Sequence, residues 1–209
     1  MARIVLIDGE NLLYGLRKIV GTPEKIAPRE QFVDYPFKKL IDDVLGDERS
    51  AHCLFFGARL RQYDYDDVLL EKTKKAIYLQ SKLVNNLQKQ GISFVKAGYL
   101  RARETEPCID CGHLEWQLLE KGVDVGLAAR MFEESKKGTE IILVSSDTDL
   151  LPAVKLARKQ GSKVIFVGYE YQPVLALARI ADRTRLITEP MVKKYLTSLS
   201  KTVNKKEEK

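Results

Sequence analysis

The chain has 209 residues and a mass of 23.8 kDa, enough to bury one α/β domain of ordinary size and short for two. Its 44% hydrophobic and 31% charged residues exclude a disordered or fibrous polymer. The longest uncharged run is nine residues, 50–58, against the roughly 20 apolar residues that a membrane helix needs.

Lysines and arginines exceed acids by 6, a mild positive bias that favours phosphate-bearing partners where the charges cluster. Residues 191–209 hold a net +4 of it, as a basic helix and tail that reads as a nucleic-acid arm or, more commonly for such ends, a solvated terminus. The apolar run Ile4 to Ile7 is too short for a signal-peptide core, and three cysteines are too few for a disulfide framework. Both features predict a cytoplasmic chain.

In chain order, short runs rich in Val, Ile and Phe alternate with longer amphipathic segments. This predicts strands at 3–7, 52–56, 93–96, 140–145 and 163–167, with a short sixth at 185–188. Helices are predicted at 11–20, 36–45, 66–90, 123–137, 150–160, 173–181 and 190–199. Alternation of this kind defines an α/β class with an open parallel sheet of about five to six strands, formed by one domain over 1–190. The long helix shows an apolar face containing Val68, Leu69, Ala76, Ile77, Leu79, Leu83, Val84 and Leu87. Residues 57–65 and 98–117 break the pattern and read as irregular loops, on the side of the sheet where ligands bind.

Four carboxylates fall at strand ends or helix starts. Asp8 follows Ile4-Val5-Leu6-Ile7, Asp124 opens the helix after Lys121-Gly122-Val123, and Asp147 and Asp149 follow Ile141-Ile142-Leu143-Val144. Singly, each is explained by helix capping or turn chemistry. Jointly they say more. If the first strand lies beside strand 140–145 at the point where strand order reverses, these side chains converge at one rim. Such a cluster repels itself and calls for a cation, and hard oxygen donors select Mg²⁺ or Mn²⁺. A metal so held suits hydrolysis of a phosphodiester.

These segments, Ile7-Asp8-Gly9-Glu10-Asn11-Leu12, Lys121 to Leu127, and Val144-Ser145-Ser146-Asp147-Thr148-Asp149-Leu150 followed by Gly161-Ser162-Lys163-Val164, resemble the NYN domain family. That family, also called LabA-like or DUF88, is related to the PIN-domain ribonucleases. The resemblance covers about residues 2–188. It implies a PIN-like three-layer α/β/α fold and metal-dependent RNA cleavage, with Asp8, Asp124 and Asp147 as metal ligands and Asp149 as a fourth. It further implies that Asn11 orients a ligand or scissile phosphate and that Ser146 assists. Glu10 has no assigned role.

Cys108, Cys111 and His113 have the spacing of a zinc knuckle inside a loop at about 102–117. A structural Zn²⁺ takes four ligands, and Glu115, Cys53, His52 or a partner chain are the candidates for the fourth. Trp116 is expected in the core. For RNA, single-stranded or locally unpaired, Tyr63 is predicted to be exposed and to stack on bases while Arg59, Arg61, Arg101 and Lys121 meet phosphates. Homo-oligomerisation stays open. Two other functions compete: an RNA-binding module without turnover, and a haloacid-dehalogenase-type phosphatase. The latter needs Asp two residues after its nucleophile, where this chain has Glu10. A dinucleotide enzyme fits poorly, since Asp8-Gly9-Glu10-Asn11 lacks the glycine triplet and its carboxylates would repel pyrophosphate.

Overall fold

A computed structural model describes residues 2–46, 51–107, 109, 111 and 114–196. Seven strands form one sheet in the order β4-β3-β2-β1-β5-β6-β7. They are β1 (Ala2–Asp8), β2 (His52–Arg59), β3 (Ile92–Glu104), β4 (Trp116–Lys121), β5 (Thr139–Val144), β6 (Lys163–Tyr169) and β7 (Arg183–Ile187). All neighbours pair in parallel except β3 with β4. Chain order reverses at β1, which lies between β2 and β5. Its register sets Ile7 beside both Phe55 and Val144, so the residues that follow emerge at one rim.

The helices are α1 (Gly9–Val20), α2 (Phe37–Leu45), α3 (Asp67–Lys89), α4 (Val123–Glu134), α5 (Leu151–Lys159), α6 (Leu175–Ile180) and α7 at 189–196. Two cores cover the two faces of the sheet. On one, Val5, Ile7, Phe55 and Val144 pack against Leu12 and Leu16 of α1, Leu40 of α2 and Leu83 of α3. On the other, Leu6, Phe56 and Leu143 pack against Leu127 and Met131 of α4 and Val154 of α5. Burial on both faces explains why β1, β5 and β6 are continuous apolar runs without alternation. The layering is the expected α/β/α arrangement, with one strand more than predicted. No described helix is long and apolar enough to cross a membrane.

The extra strand corrects the reading of residues 98–117 as irregular. β3 continues to Glu104 and turns back as β4, pairing Tyr99 with Lys121 and Glu104 with Trp116. A bulge separates the two halves of β3: Gly57 pairs with Lys96 but Arg59 pairs with Tyr99, so β3 carries one extra residue there. Gly98 occupies it at φ 69°, where an added Cβ would lie 2.1 Å from the Lys121 carbonyl oxygen. Only glycine fits. Polar and charged residues on the outward face of this hairpin hid its alternation.

Three further expectations change. Val68 and Ile77 are exposed, at 64% and 37%, because α3 buries the stripe Leu69, Thr73, Leu79, Leu83 and Leu87 instead. Trp116 is half-buried at the start of β4, its ring centroid 4.7 Å from that of Tyr65, and belongs to neither core. α4 stops at Glu134, since Ser135 is extended and Gly138 turns the chain at φ 88°. Of the basic C-terminal segment, 191–196 is helical and 197–209 lies outside the described residues.

Candidate active site

Asp8 ends β1 and caps α1, with Oδ1 accepting from the Asn11 N–H at 3.2 Å. Gly9 follows because α1 starts tight against β2: an added Cβ would lie 2.2 Å from the Phe55 ring and 2.4 Å from the Phe56 carbonyl oxygen. The Asp-Gly pair is therefore close packing at a helix start rather than turn chemistry. Asp8 Oδ2 accepts from the Ser145 hydroxyl at 2.8 Å, and Ser145 Oγ in turn accepts from the Asp147 N–H at 3.1 Å. Asp147 caps the turn Thr148–Leu150 by accepting from the Asp149 N–H at 2.8 Å.

Asn11 stitches the two strand ends together. Its Oδ1 accepts from the Ser146 N–H at 3.0 Å, while its own carbonyl oxygen accepts from the Tyr169 hydroxyl at 3.0 Å. Ser146 Oγ is shielded from solvent and has no hydrogen-bond partner among the described residues. A buried hydroxyl without a partner is uncommon, and Ser146 would have to change rotamer to meet a ligand at the motif's turn.

The electrostatics are those of an uncompensated acidic rim. Asp8 is 6% exposed, and burial pushes its carboxyl from 3.8 up to about 6; hydrogen bonds from Ser145 and Asn11 oppose the rise, and the charges of Asp124 and Asp147 add to it. Asp124, in the first turn of α4, is also raised, by partial burial and then by Asp147 and Asp149. Among the described residues no lysine or arginine forms an ion pair with any of the four. Nor do any three acidic, His or Cys side chains among them close into a ready-made metal cage. The donor set still suits Mg²⁺ or Mn²⁺, which take one or two carboxylates and keep their waters. The raised proton affinity of Asp8 marks charge that a cation would relieve.

Sequence reasoning missed Glu120. It points from β4 into a cleft of about 300 Å³ beside Gly9 and Glu10, and its Oε1 accepts from the Ala58 N–H at 2.7 Å. Burial raises its carboxyl to about 7, with the charges of Glu10 and Asp8 adding to the effect. Glu120 sits four residues before Asp124, but only the hairpin reveals that it faces the site. Glu10 lines the same cleft in an ion pair with Arg29.

The predicted nucleic-acid contacts divide. Residues opposite each other in an antiparallel ladder share a face, so Tyr99 with Lys121, Arg101 with Leu119 and Arg103 with Gln117 form one face of the hairpin. Tyr99, Arg101, Arg103 and Lys121 are exposed there, and Arg59, also exposed, pairs with Tyr99 at the end of β2. Tyr63 corrects the prediction: it is 4% exposed, its hydroxyl donating to the Leu100 carbonyl at 2.8 Å. Arg61 lies over the Tyr63 ring at 4.6 Å. Buried Tyr63 anchors the hairpin, and Tyr99, 55% exposed, is the aromatic in the basic face.

Cys108 and His113 lie outside the described residues, and Cys111 is an exposed free thiol. Cys53 is ruled out as a fourth zinc ligand: it is 1% exposed, its thiol directed to the Ala51 carbonyl, and it pairs with Ile92 at the opposite end of β3 from the loop. Its neighbour His52 begins β2 at that same remote end.

A doubly wound sheet that reverses at β1, where Ser145 links Asp8 to the Asp147 turn, gives a three-layer α/β/α architecture with acids at its reversal point. The NYN domain model matches residues 3–188, and the chain belongs to that family. Its fold is similar to that of a protein of unknown function from Vibrio parahaemolyticus RIMD 2210633, with a TM-score of 0.50 and 18% identity, covering 90% of this chain and 91% of the other. Two structures of phosphofructokinase-2 from Escherichia coli, one a mutant and one a potassium complex, reach TM-scores of 0.36 and 0.35 at 14% and 16% identity. They cover 68% of this chain and 43% and 44% of the kinase, and likeness at that level carries no functional argument. No curated protein matches the chain.

Proposed function

We propose that this NYN domain is a metal-dependent ribonuclease of the cytoplasm that hydrolyses phosphodiester bonds in unpaired RNA. The observation that carries the reading is Asp8, a buried carboxylate near enough to Asp124 and Asp147 for their charges to raise its proton affinity, with no cationic side chain among the described residues paired to any of them. Asp8 and Asp147 would hold Mg²⁺ or Mn²⁺, with Asp124 joining directly or through its waters and Asp149 through a water. The ion, when bound, supplies charge neutralisation on the phosphate and acidifies a water.

The chain's own groups do the rest. Asp149, exposed at the mouth, takes the proton of the attacking water as its oxygen bonds to phosphorus; the P–O bond opposite breaks, and the departing oxygen is protonated from solvent. Asn11 fixes the turn that carries Asp147, and the Ser146 hydroxyl, after a change of rotamer that exposes it, donates to a phosphate oxygen. The hairpin face bearing Tyr99, Arg101 and Lys121 guides the strand, Lys121 lying three residues before Asp124. Cys108, Cys111 and His113 would pin the hairpin loop through Zn²⁺, with Glu115 or a partner chain completing the set. The phosphatase alternative loses support because Glu10, at the position its acid would occupy, is tied to Arg29.

A labelled unpaired RNA incubated with Mn²⁺ tests the reading. Wild-type protein should cut it, and Asp147→Asn should cut at least a hundredfold more slowly with unchanged circular dichroism. Equal rates for the two proteins, or turnover of a small phosphomonoester with phosphate trapped on Asp8, would overturn it.

A further inference from the structure

The cleft that holds Glu120 lies beside the acidic rim but on the α3 face of the sheet, and the reaction as proposed does not use it. Its walls are mostly apolar, with half-buried Phe94 and Leu100 of β3 beside the buried Phe55 and Leu83, and the Glu10–Arg29 ion pair and Gln80 of α3 also border it. One charged side chain on β4, Glu120, reaches this space, held at one oxygen by the Ala58 N–H. At about 300 Å³ the volume stands at the lower end for small-molecule pockets, room for one planar ring system and no more.

We propose that this cleft is a base subsite that takes one unpaired guanine next to the scissile phosphate, with Glu120 accepting from its N1–H and N2–H. The inference rests on the ribonuclease reading and adds a substrate preference to it. A largely apolar cleft suits a base in preference to a sugar or phosphate, because the half-buried Phe94 ring offers stacking to any base and Arg29, the cation at its border, is already paired to Glu10. Glu120 selects among bases by geometry. A carboxylate presents two acceptors side by side, and guanine alone offers two donors side by side on its pairing edge. Adenine and cytosine set a donor beside an acceptor, and uracil flanks its one donor with two acceptors, which face the carboxylate unfavourably. The Ala58 N–H leaves Glu120 with acceptor capacity to spare.

Position fits as well. Gly9 and Glu10, the residues after Asp8, border the cleft, so a base seated there leaves its phosphate at the acidic rim. Leu100 and Glu120 face inward from the same hairpin that presents Arg101 and Lys121 outward, so one element contacts both base and backbone.

Binding tests this separately from cleavage. The full chain in EDTA at pH 8.5, above the raised Glu120 carboxyl and so with Glu120 ionised, is titrated with an eight-nucleotide oligouridylate, the same oligomer with one central guanosine, and the same with inosine, which lacks the N2 amino group. Each carries identical phosphates, so repulsion from the acidic rim cancels in the ratio. Wild-type protein should bind the guanosine oligomer about tenfold more tightly than oligouridylate. Ala76→Phe, which directs a ring from α3 into the cleft, should bring that ratio to about one. Glu120→Gln, which keeps the shape, should abolish the preference for guanosine over inosine. Equal affinity of the wild type for all three oligomers, or no affinity for any, overturns the subsite whether or not the protein cuts RNA. A guanosine preference without cleavage would leave the subsite standing and count against the nuclease reading alone.

Discussion

The side-chain oxygen of Asn11 accepts a hydrogen bond from the Ser146 N–H at 3.0 Å, joining the start of α1 to the turn after β5 across 135 residues of sequence. Through it, the capped helix that follows Asp8 and the loop that carries Asp147 and Asp149 hold one geometry. Asn11→Ala should cost about 1 kcal/mol of stability, the net worth of one such bond. It should lower cleavage at least tenfold, because the turn loses its register with Asp8. Thermal unfolding and single-turnover rates measure the two effects, and an unchanged rate would remove Asn11 from the positioning role.

Asp8 makes the metal-free protein less stable as pH rises. A carboxyl at about 6 when folded and 3.8 when unfolded binds its proton more tightly in the native state, so stability falls between about pH 4 and pH 6 and stays reduced above. Asp8→Asn should therefore stabilise the metal-free protein by up to about 3 kcal/mol at pH 7 and by less than about 1 kcal/mol at pH 4, while abolishing cleavage. Denaturant titrations at the two pH values check this. A destabilised variant at pH 7 would show that Asp8 is already neutralised.

Ser145 lowers the proton affinity of Asp8 by donating to its carboxylate. Ser145→Ala should move the acid limb of the pH–rate profile upward, with most activity recovered at alkaline pH. A uniform loss across all pH values would assign Ser145 to structure alone.

The basic face of the hairpin should act through phosphates. Arg101→Ala and Lys121→Ala are each expected to weaken RNA binding and to reduce the slope of log K against log salt by about 0.7, the value for one contact to a single strand. Tyr99→Ala should weaken binding about fivefold or more through lost stacking. By contrast Tyr63→Phe, which removes the bond to the Leu100 carbonyl, should cost about 1 kcal/mol of stability and leave affinity unchanged.

Much of this architecture was legible in the sequence because buried parallel strands and capped helices write short-range patterns. The runs at Ile4 to Ile7 and Ile141 to Val144 are apolar on both faces, and Asp8, Asp124 and Asp147 each stand where such a run or a helix begins or ends. What was not legible depends on distant partners. The β3–β4 hairpin is solvated on one face and interrupted by the Gly98 bulge, so its alternation is broken and salted with arginine and glutamate. Tyr63 looks exposed among charged neighbours, yet its burial depends on Leu100, 37 residues on. Glu120 reads as one more surface acid until the hairpin folds it over Ala58.

The most direct measurement is the anomalous density of crystals grown at saturating Mn²⁺. The account predicts a peak at the rim of the sheet with carboxylate oxygens of both Asp8 and Asp147 about 2.0–2.2 Å away, the ligand range for small hard cations. A peak elsewhere, or none in crystals of protein that cuts RNA in the same buffer, would contradict it.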